Sequence, residues 1–198
     1  LHKGKQLIIA DNVNFRYGEK WLWKEPLHFQ INSGERVAIS GANGSGKTTL
    51  IRLVLGKLQP VTGSVQNAAE RTVYIDQEYS LVNNKLSVFQ QAQEFNTGSL
   101  PEHEVKSRLT KFLFDQNDWD KSCAALSGGE RMRLVLCCLT LEALSPDIII
   151  LDEPTNNLDL QNVEILTAAV NEYKGTLIVI SHDAYFLKEV NVVRSIAL

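Results

Sequence analysis

The sequence is poor in the features that define several classes of protein. It contains three cysteines and a single methionine among 198 residues, and its formal net charge is −3. Its apolar runs, such as that at 148–151, are too short to cross a bilayer, so we expect no direct membrane insertion. The weak negative charge excludes a basic clamp for nucleic acid. The remaining composition, 44% hydrophobic and 22% charged, is typical of a soluble globular domain.

The few sulfur-containing residues indicate a cellular compartment and suggest whether the chain is part of a longer protein. Cys123, Cys137 and Cys138 are an odd number and lack the spacing of metal ligands. This pattern predicts buried thiols in a reducing, cytoplasmic compartment. Because the only methionine is Met132, we expect a segment of a longer protein, with the polar residues 1–6 as the end of a linker.

A glycine-rich stretch is the motif around which the chain is organised. It contains the pattern G-x-x-x-x-G-K-[ST], between a predicted strand at 36–40 and a predicted helix at 46–55. Glycine lets backbone N–H groups approach phosphate oxygens, and the helix N-terminus adds donors and a positive dipole end. A turn that matches by chance is the alternative for the motif alone. The predicted nucleotide-binding residues are Gly41, Ala42, Asn43, Gly44, Ser45, Gly46, Lys47, Thr48 and Thr49.

Two side chains of this loop and two carboxylates have specific predicted roles. Lys47 would contact the β- and γ-phosphates, and the Thr48 hydroxyl would bind Mg²⁺. Asp152 follows an apolar strand predicted at 148–151 and would hold Mg²⁺, usually through water. Glu153 would polarise the water aimed at the γ-phosphate, as general base or as orienter. A strand-to-helix turn with a capping aspartate is the alternative interpretation of this pair.

Three further residues carry weaker signals. Gln77 follows a predicted strand and would contact Mg²⁺ or the attacking water, although a solvated loop glutamine is the usual case. His182 follows the predicted strand at 176–180 and would bond the γ-phosphate and hold Glu153 and the water in line. Tyr17 would stack on adenine; the nearby Trp21 and Trp23 fit a hairpin core equally well. The histidines at 2, 28 and 103 are interpreted as surface or packing residues.

The order of predicted elements indicates an α/β fold of the P-loop NTPase kind. Apolar strands without alternation, separated by helices, are typical of a mostly parallel central sheet, whose ligands bind at the carboxyl ends of the strands. Two or three earlier strands predict a flanking antiparallel β subdomain. We expect a single domain over 1–198 with a small helical insertion at about 84–124. The predicted helices are 46–55, 86–95, 102–114, 130–144, 160–173 and 184–190.

A second glycine pair completes the set of motifs. Gly128 and Gly129 precede the predicted helix at 130–144, where glycine is a poor helix former but suits an anion-binding helix N-terminus. Taken together, the motifs make the chain resemble an ATP-binding cassette (ABC) ATPase domain. The resemblance covers an aromatic loop at Tyr17, Walker A at 41–49, a Q-loop at Gln77, the signature at 126–130, Walker B at 148–153, a D-loop at 156–159 and an H-loop at His182.

This resemblance implies ATP and Mg²⁺ as ligands and a second cassette as partner. In the family, two cassettes pack head to tail around two ATP molecules. Ser127, Gly128 and Gly129 would then contact the γ-phosphate held by the Walker A loop of the partner, on the same chain or in a homodimer. ATP would favour the closed pair and hydrolysis would loosen it.

Within the family, the motifs resemble the ABC-F group, soluble two-cassette proteins that act on ribosomes. Residues 153–159 read EPTNNLD, similar to the group's EPTNHLD but departing from it at Asn157. Residues 126–134 read LSGGERMRL, where transporters often carry LSGGQ, and the interval from Gln77 to Leu126 is short. A translation or antibiotic-resistance factor is the first hypothesis. An ATPase subunit docked on a membrane permease is the second, and a cassette that binds ATP as a switch with little turnover is the third.

Overall fold

A computed structural model describes residues 4–198. His2 and the first half of the linker predicted at 1–6 therefore lie outside the described residues. The described chain forms two compact units. The first contains the residues up to Tyr74 together with Pro146–Pro154 and Lys174–Leu198, and the second contains Ile75–Ser145 and Thr155–Tyr173. A single domain with a helical insertion at about 84–124 stays a prediction.

The described chain begins with five strands, and helices and strands alternate in its last third. The strands are β1 (Gln6–Asn14), β2 (Arg16–Tyr17), β3 (Lys20–Trp21), β4 (Leu27–Asn32), β5 (Arg36–Ser40), β6 (Thr62–Asn67), β7 (Thr72–Ile75), β8 (Ile148–Asp152), β9 (Thr176–Ile180) and β10 (Arg194–Ala197). The helices are α1 (Lys47–Val54), α2 (Val88–Glu94), α3 (Glu102–Lys111), α4 (Gly128–Leu141), α5 (Leu160–Glu172) and α6 (Ala184–Glu189).

All six predicted helices are present in the structure, each with one or both ends shifted by one to three residues. Two of these shifts have identifiable reasons. α4 begins at Gly128 and not at residue 130, because Ser127 and Glu130 form a capping box that places both glycines in the first turn. α3 ends at Lys111 and not at 114. The chain leaves the helix there, since Leu113 adopts a left-handed conformation with φ 65°.

The central sheet has the predicted parallel architecture. Its order is β10-β5-β9-β8-β7, and the pairs β10/β5, β5/β9 and β9/β8 are parallel. Every residue of β9 is buried, as are the first four residues of β8. Continuous apolar strands of this kind are those expected of a parallel sheet.

A smaller antiparallel sheet lies beside the central one, as predicted, but its third strand comes from an unexpected place. Its order is β4-β1-β6, with both pairs antiparallel. β6 follows the glycine loop, whereas β2 and β3 form a separate two-stranded hairpin. One buried core includes Ile8 and Ile31 of this sheet, Val37 and Ile178 of the central sheet and Leu50 of α1.

The second unit is mainly helical. Its longest helix, α4, packs against α2, α3 and α5. Val88, Val105, Leu109 and Leu134 are fully buried there. Within residues 4–198, no helix combines the length and the apolar character that crossing a membrane requires.

Candidate functional site

The glycine loop connects the end of β5 to the start of α1. A turn within it is closed by a bond from the Ser45 N–H to the Ala42 carbonyl oxygen at 3.0 Å. The Lys47 ammonium group donates to the carbonyl oxygens of Gly41, at 2.7 Å, and Ala42, at 3.1 Å. Its charge therefore lies against the loop itself, while Thr48 at the next position is exposed.

Close packing explains two of the glycines in this loop. A Cβ at Gly46, where φ is 99°, would lie 2.6 Å from Leu22 Cδ2 and 3.0 Å from the indole nitrogen of Trp23. A Cβ at Gly41 would lie 2.4 Å from the Ser45 hydroxyl oxygen. Any larger residue would have to displace these neighbours, so the loop can keep this path only with glycine at both positions.

The polar groups of the loop fit a phosphate. α1 begins after Gly46 without a side-chain cap, whereas Ser87, Ser127 and Asp159 cap α2, α4 and α5. The first N–H groups of an uncapped helix need an acceptor, and an anion supplies one. Among the described residues, the Ser45 hydroxyl is also buried without a hydrogen-bond partner.

The strand register brings the predicted carboxylate to the same edge as the loop. Asp152 at the end of β8 pairs with Ile180 of β9, and Ile180 pairs with Ile39 of β5, two residues before Gly41. Two strand spacings, about 10 Å, therefore separate the backbone of Asp152 from that of Ile39. Gly41, Asp152 and His182 thus follow three adjacent strands at one edge of the central sheet in the first unit, whereas Gln77, predicted for the same edge, belongs to the second unit.

Asp152 has a partner that the sequence analysis missed. The Tyr74 hydroxyl on β7 donates to Asp152 Oδ2 at 2.7 Å. The two residues are 78 positions apart in sequence, so no local motif could have revealed the pair.

Glu153 and His182 lie beside each other beyond the ends of β8 and β9. His182 Nε2 is 3.4 Å from Glu153 Oε1, and the side chains are 63% and 10% exposed respectively. The Glu153 N–H donates to the Ile180 carbonyl oxygen at 2.8 Å. The backbone of Glu153 has φ 47°, a region that non-glycine residues rarely adopt and that is concentrated at functional sites.

The aromatic hairpin before the loop divides into an exposed side and a buried side. Tyr17 is 57% exposed, and its hydroxyl lies 3.1 Å from the Thr49 hydroxyl. Trp21 is 42% exposed, with the Arg16 guanidinium 5.2 Å from its ring centroid. Trp23 is buried and donates its indole N–H to the Ser45 carbonyl oxygen at 2.9 Å. Trp23 thus supports the loop, a contact that the sequence analysis also missed.

Gln77 and the signature residues belong to the second unit. Gln77 is exposed and follows Asp76, which accepts from the Glu78 and Ser80 N–H groups at 3.1 and 2.9 Å. Ser127 and Gly128 are exposed, whereas Gly129 is buried. The roles assigned to these residues from the sequence stay predictions.

An ion pair supports the signature turn. Lys121 Nζ lies 2.7 Å from Glu130 Oε1, and Glu130 Oε2 accepts from the Ser127 N–H at 2.7 Å. Burial raises the pKa of Glu130, but the hydrogen bonds from Lys121 and Ser127 outweigh it, so the net pKa is lowered. Glu130 is therefore an ionised cap that fixes the first turn of α4.

Comparison with known proteins assigns the family. A protein-family model described as ABC transporter matches residues 25–156, more than half of the chain. This chain belongs to the ABC transporter family. It is an ATPase domain of that family, as the motifs predicted.

Curated relatives of the cassette include members of the ABC-F group. The chain is 33% identical over 200 residues to ABC transporter F family member 5 of Arabidopsis thaliana, covering 94% of this chain and 27% of the relative. It is 36% identical over 196 residues to Ribosome protection protein VmlR of Bacillus subtilis (strain 168), covering 95% and 34%. It is 36% identical over 190 residues to ATP-binding protein Uup of Caulobacter vibrioides, covering 93% and 31%. The cassette therefore spans about a third of the length of these relatives.

A solved structure confirms the fold of the cassette. It is described as an ABC transporter of metal-chelate type in an inward-facing conformation, and it matches with a TM-score of 0.70. The match covers 93% of this chain and 76% of that chain at 23% sequence identity. The α/β architecture of a P-loop NTPase, expected from the element order, is thereby confirmed.

Proposed function

We propose that this cassette binds ATP with Mg²⁺ and hydrolyses it, as one of two cassettes of an ABC-F-type protein that acts at the ribosome. The observation that carries the catalytic part is the register of β5, β9 and β8. It brings the glycine loop, His182 and Asp152 to one edge of the central sheet. ABC-F relatives support the assignment to that group.

Binding of the triphosphate would use the loop and the start of α1. The uncapped N–H groups of α1 and the Ser45 hydroxyl would donate to phosphate oxygens. Lys47 would exchange its bonds to the loop carbonyl oxygens for charge-assisted bonds to the β- and γ-phosphates. The exposed Tyr17 ring would stack on the adenine base.

The metal site would be built from few protein ligands. Thr48 and Asp152 offer the oxygen ligands that Mg²⁺ prefers, with phosphate oxygens and water completing the shell. Among residues 4–198, no group of three or more acidic, histidine or cysteine residues could hold a metal by itself. When bound, Mg²⁺ neutralises charge on the β- and γ-phosphates.

Hydrolysis would depend on Glu153 and His182. The Glu153 carboxylate, 10% exposed and in contact with His182, would accept a hydrogen bond from the attacking water and orient it, or take its proton. The more exposed His182 would bond the γ-phosphate and hold Glu153 in place. The unusual backbone conformation of Glu153 supports a functional role for this position.

A second cassette would complete each site. Ser127 and Gly128 are exposed at the start of α4, where they would contact the γ-phosphate bound by a partner cassette. The relatives are about three times as long as this chain, which leaves room in them for a second cassette and a linker. The partner would therefore lie on the same chain, with a homodimer as the alternative.

Ribosome association is supported by the name of one relative and by the motif sequence. That relative is a ribosome protection protein, and residues 153–159 carry the ABC-F-like sequence EPTNNLD. A protein with this role would be cytoplasmic. The alternative is an ATPase subunit on a membrane permease, in keeping with the transporter whose fold the cassette shares.

The test uses the full-length protein that contains this cassette. Glu153→Gln should keep ATP binding, stop hydrolysis and increase co-sedimentation with ribosomes in the presence of ATP. The proposed role is contradicted if the protein is recovered with a permease and if neither the unmodified protein nor Glu153→Gln binds ribosomes. Phosphate release no higher than that of a Lys47→Ala control would favour an ATP-binding switch with little turnover.

A further inference from the structure

Tyr74 and Asp152 form a short hydrogen bond between neighbouring strands of the first unit. The phenolic oxygen lies 2.7 Å from Asp152 Oδ2. Toward an ionised carboxylate, which only accepts, a neutral phenol must be the donor. Bonds of this type are short, about 2.5–2.7 Å, and stronger than bonds between neutral groups.

The ring of Tyr74 is itself held in place. It packs against the buried core that includes Ile148 and Ile150 of β8 and Ile178 of β9. A hydroxyl on a ring fixed in this way has little freedom to move. Its bond therefore restrains the orientation of the Asp152 carboxyl group, which otherwise turns about two side-chain torsions.

We propose that Tyr74 is a positioning residue for the metal site of this cassette. By occupying Oδ2 of Asp152, its hydroxyl leaves Oδ1 for Mg²⁺ or for a water bound to it. This inference rests on the proposed function, in which Asp152 holds Mg²⁺. Groups that hold a metal ligand in this way contribute about 10- to 100-fold to metal affinity or activity.

The alternative role for Tyr74 is packing alone. Phenylalanine would fill nearly the same volume and keep the contacts of the ring with the core. Tyr74→Phe therefore removes the hydroxyl while leaving the packing of the ring in place. If packing is the whole role, this variant will behave like the unmodified protein.

The experiment measures the Mg²⁺ requirement of nucleotide binding in the full-length protein. A fluorescent ATP analogue is titrated at increasing Mg²⁺ concentration, and again in EDTA, with Tyr74→Phe, Asp152→Asn and the double variant. Tyr74→Phe should raise about tenfold the Mg²⁺ concentration that gives half of the maximal gain in affinity for the ATP analogue. It should leave the affinity for the analogue in EDTA unchanged. In the Asp152→Asn background it should have no further effect.

Each outcome separates this inference from the proposed function. If Asp152→Asn shifts the Mg²⁺ requirement and Tyr74→Phe does not, the role of Tyr74 is wrong and the metal role of Asp152 stands. If Asp152→Asn itself has no effect, the proposed metal role fails. An equal loss of affinity with Mg²⁺ and in EDTA would assign Tyr74 a structural role. Tyr185→Phe removes the hydroxyl of a 72% exposed tyrosine and should match the unmodified protein.

Discussion

Asn162 of α5 lies directly against Gly129 of α4. A Cβ at Gly129 would be 2.3 Å from the Asn162 side-chain nitrogen and 2.8 Å from its Cγ. Asn162 is also held at the start of its own helix, where its N–H donates to the capping Asp159 carboxylate at 2.8 Å. A side chain at the second signature glycine would therefore have to displace the Asn162 amide group, besides any contact that the glycine would make with a nucleotide.

This contact predicts different effects of alanine at the two adjacent glycines. Gly129→Ala should lower the free energy of unfolding by about 1–3 kcal/mol, because the added methyl group must displace Asn162. Gly128→Ala is the matched control, since nothing lies within 4 Å of a Cβ there. It should be neutral or should stabilise α4 by up to about 1 kcal/mol through helix propensity. Denaturant unfolding of both variants measures the difference.

A second substitution tests the cause of the Gly129 effect. Asn162→Ala removes the atoms that the new methyl group would meet, so the double variant Gly129→Ala/Asn162→Ala should recover part of the lost stability. Such coupling is expected for residues in direct contact. Strictly additive losses would mean that the packing of Asn162 is not the reason for glycine at this position.

The sequence allowed the positions of the glycine loop and of the strand ends to be predicted, because a motif or an apolar run marks each of them. The loop at 41–49 and the edge formed by Asp152, Glu153 and His182 follow from local pattern and from the rule for parallel sheets. The start of α4 was predicted wrongly from glycine propensity. Ser127 and Glu130 carry a capping-box spacing that could have corrected it.

Long-range packing could not be predicted in the same way. Three of the observed contacts join residues that are well separated in sequence: Trp23 with Ser45, Tyr74 with Asp152, and Gly129 with Asn162. Each depends on how complete elements pack, and a lone tryptophan, tyrosine or asparagine carries no signal of its partner. The strand β6 was missed as part of the antiparallel sheet for the same reason.

Because Trp23 bonds to the glycine loop, replacing it should lower both the stability of the loop and its affinity for nucleotide. Trp23→Phe removes the indole N–H that binds the Ser45 carbonyl oxygen, at a cost of about 1 kcal/mol for the hydrogen bond and more for the lost ring volume. The loop should then hold the triphosphate less firmly. Calorimetric titration with ATP and thermal unfolding measure the two effects.

Trp21→Phe is the control for that substitution. Trp21 is 42% exposed, and the Arg16 guanidinium lies over its ring. Exposed contacts of this kind contribute about 0.5–1 kcal/mol. A larger effect on ATP affinity from Trp21→Phe than from Trp23→Phe would contradict the supporting role of Trp23 and favour base stacking by Trp21.

The cysteines should be unreactive in the folded cassette. Burial raises the pKa of Cys137 to about 12 and that of Cys138 well above its ordinary value, and it also raises the pKa of Cys123. Because the thiolate is the reactive form, a disulfide reagent at pH 8 should modify these thiols slowly. Denaturant should expose all three. Rapid labelling of folded protein would show that the second unit opens readily.

The Glu130 cap predicts a stability that depends on pH in a defined direction. Its pKa is lowered from 4.5 in the folded state, so its ionised form stabilises the fold above the unfolded pKa. That contribution is lost as the pH falls through the folded value, because protonation weakens the bonds to Lys121 and Ser127. Glu130→Gln can keep the capping bond to Ser127 but loses the charge. Its free energy of unfolding should therefore be lower at pH 7 and should fall less between pH 5 and pH 3, since the glutamine does not titrate.

Glu130→Ala separates the cap from the ion pair. Alanine removes both the bond to the Ser127 N–H and the pair with Lys121. It should therefore lower stability at pH 7 by at least about 0.5–1.5 kcal/mol, the net contribution of one hydrogen bond. Glu130→Gln should lie between this variant and the unmodified chain. If the two variants unfold alike at pH 7, the ion pair with Lys121 and not the cap fixes the signature turn. If Glu130→Gln keeps the full pH dependence between pH 5 and pH 3, Glu130 is not the group that titrates, and Glu35, whose pKa is also lowered, is the next carboxylate to replace.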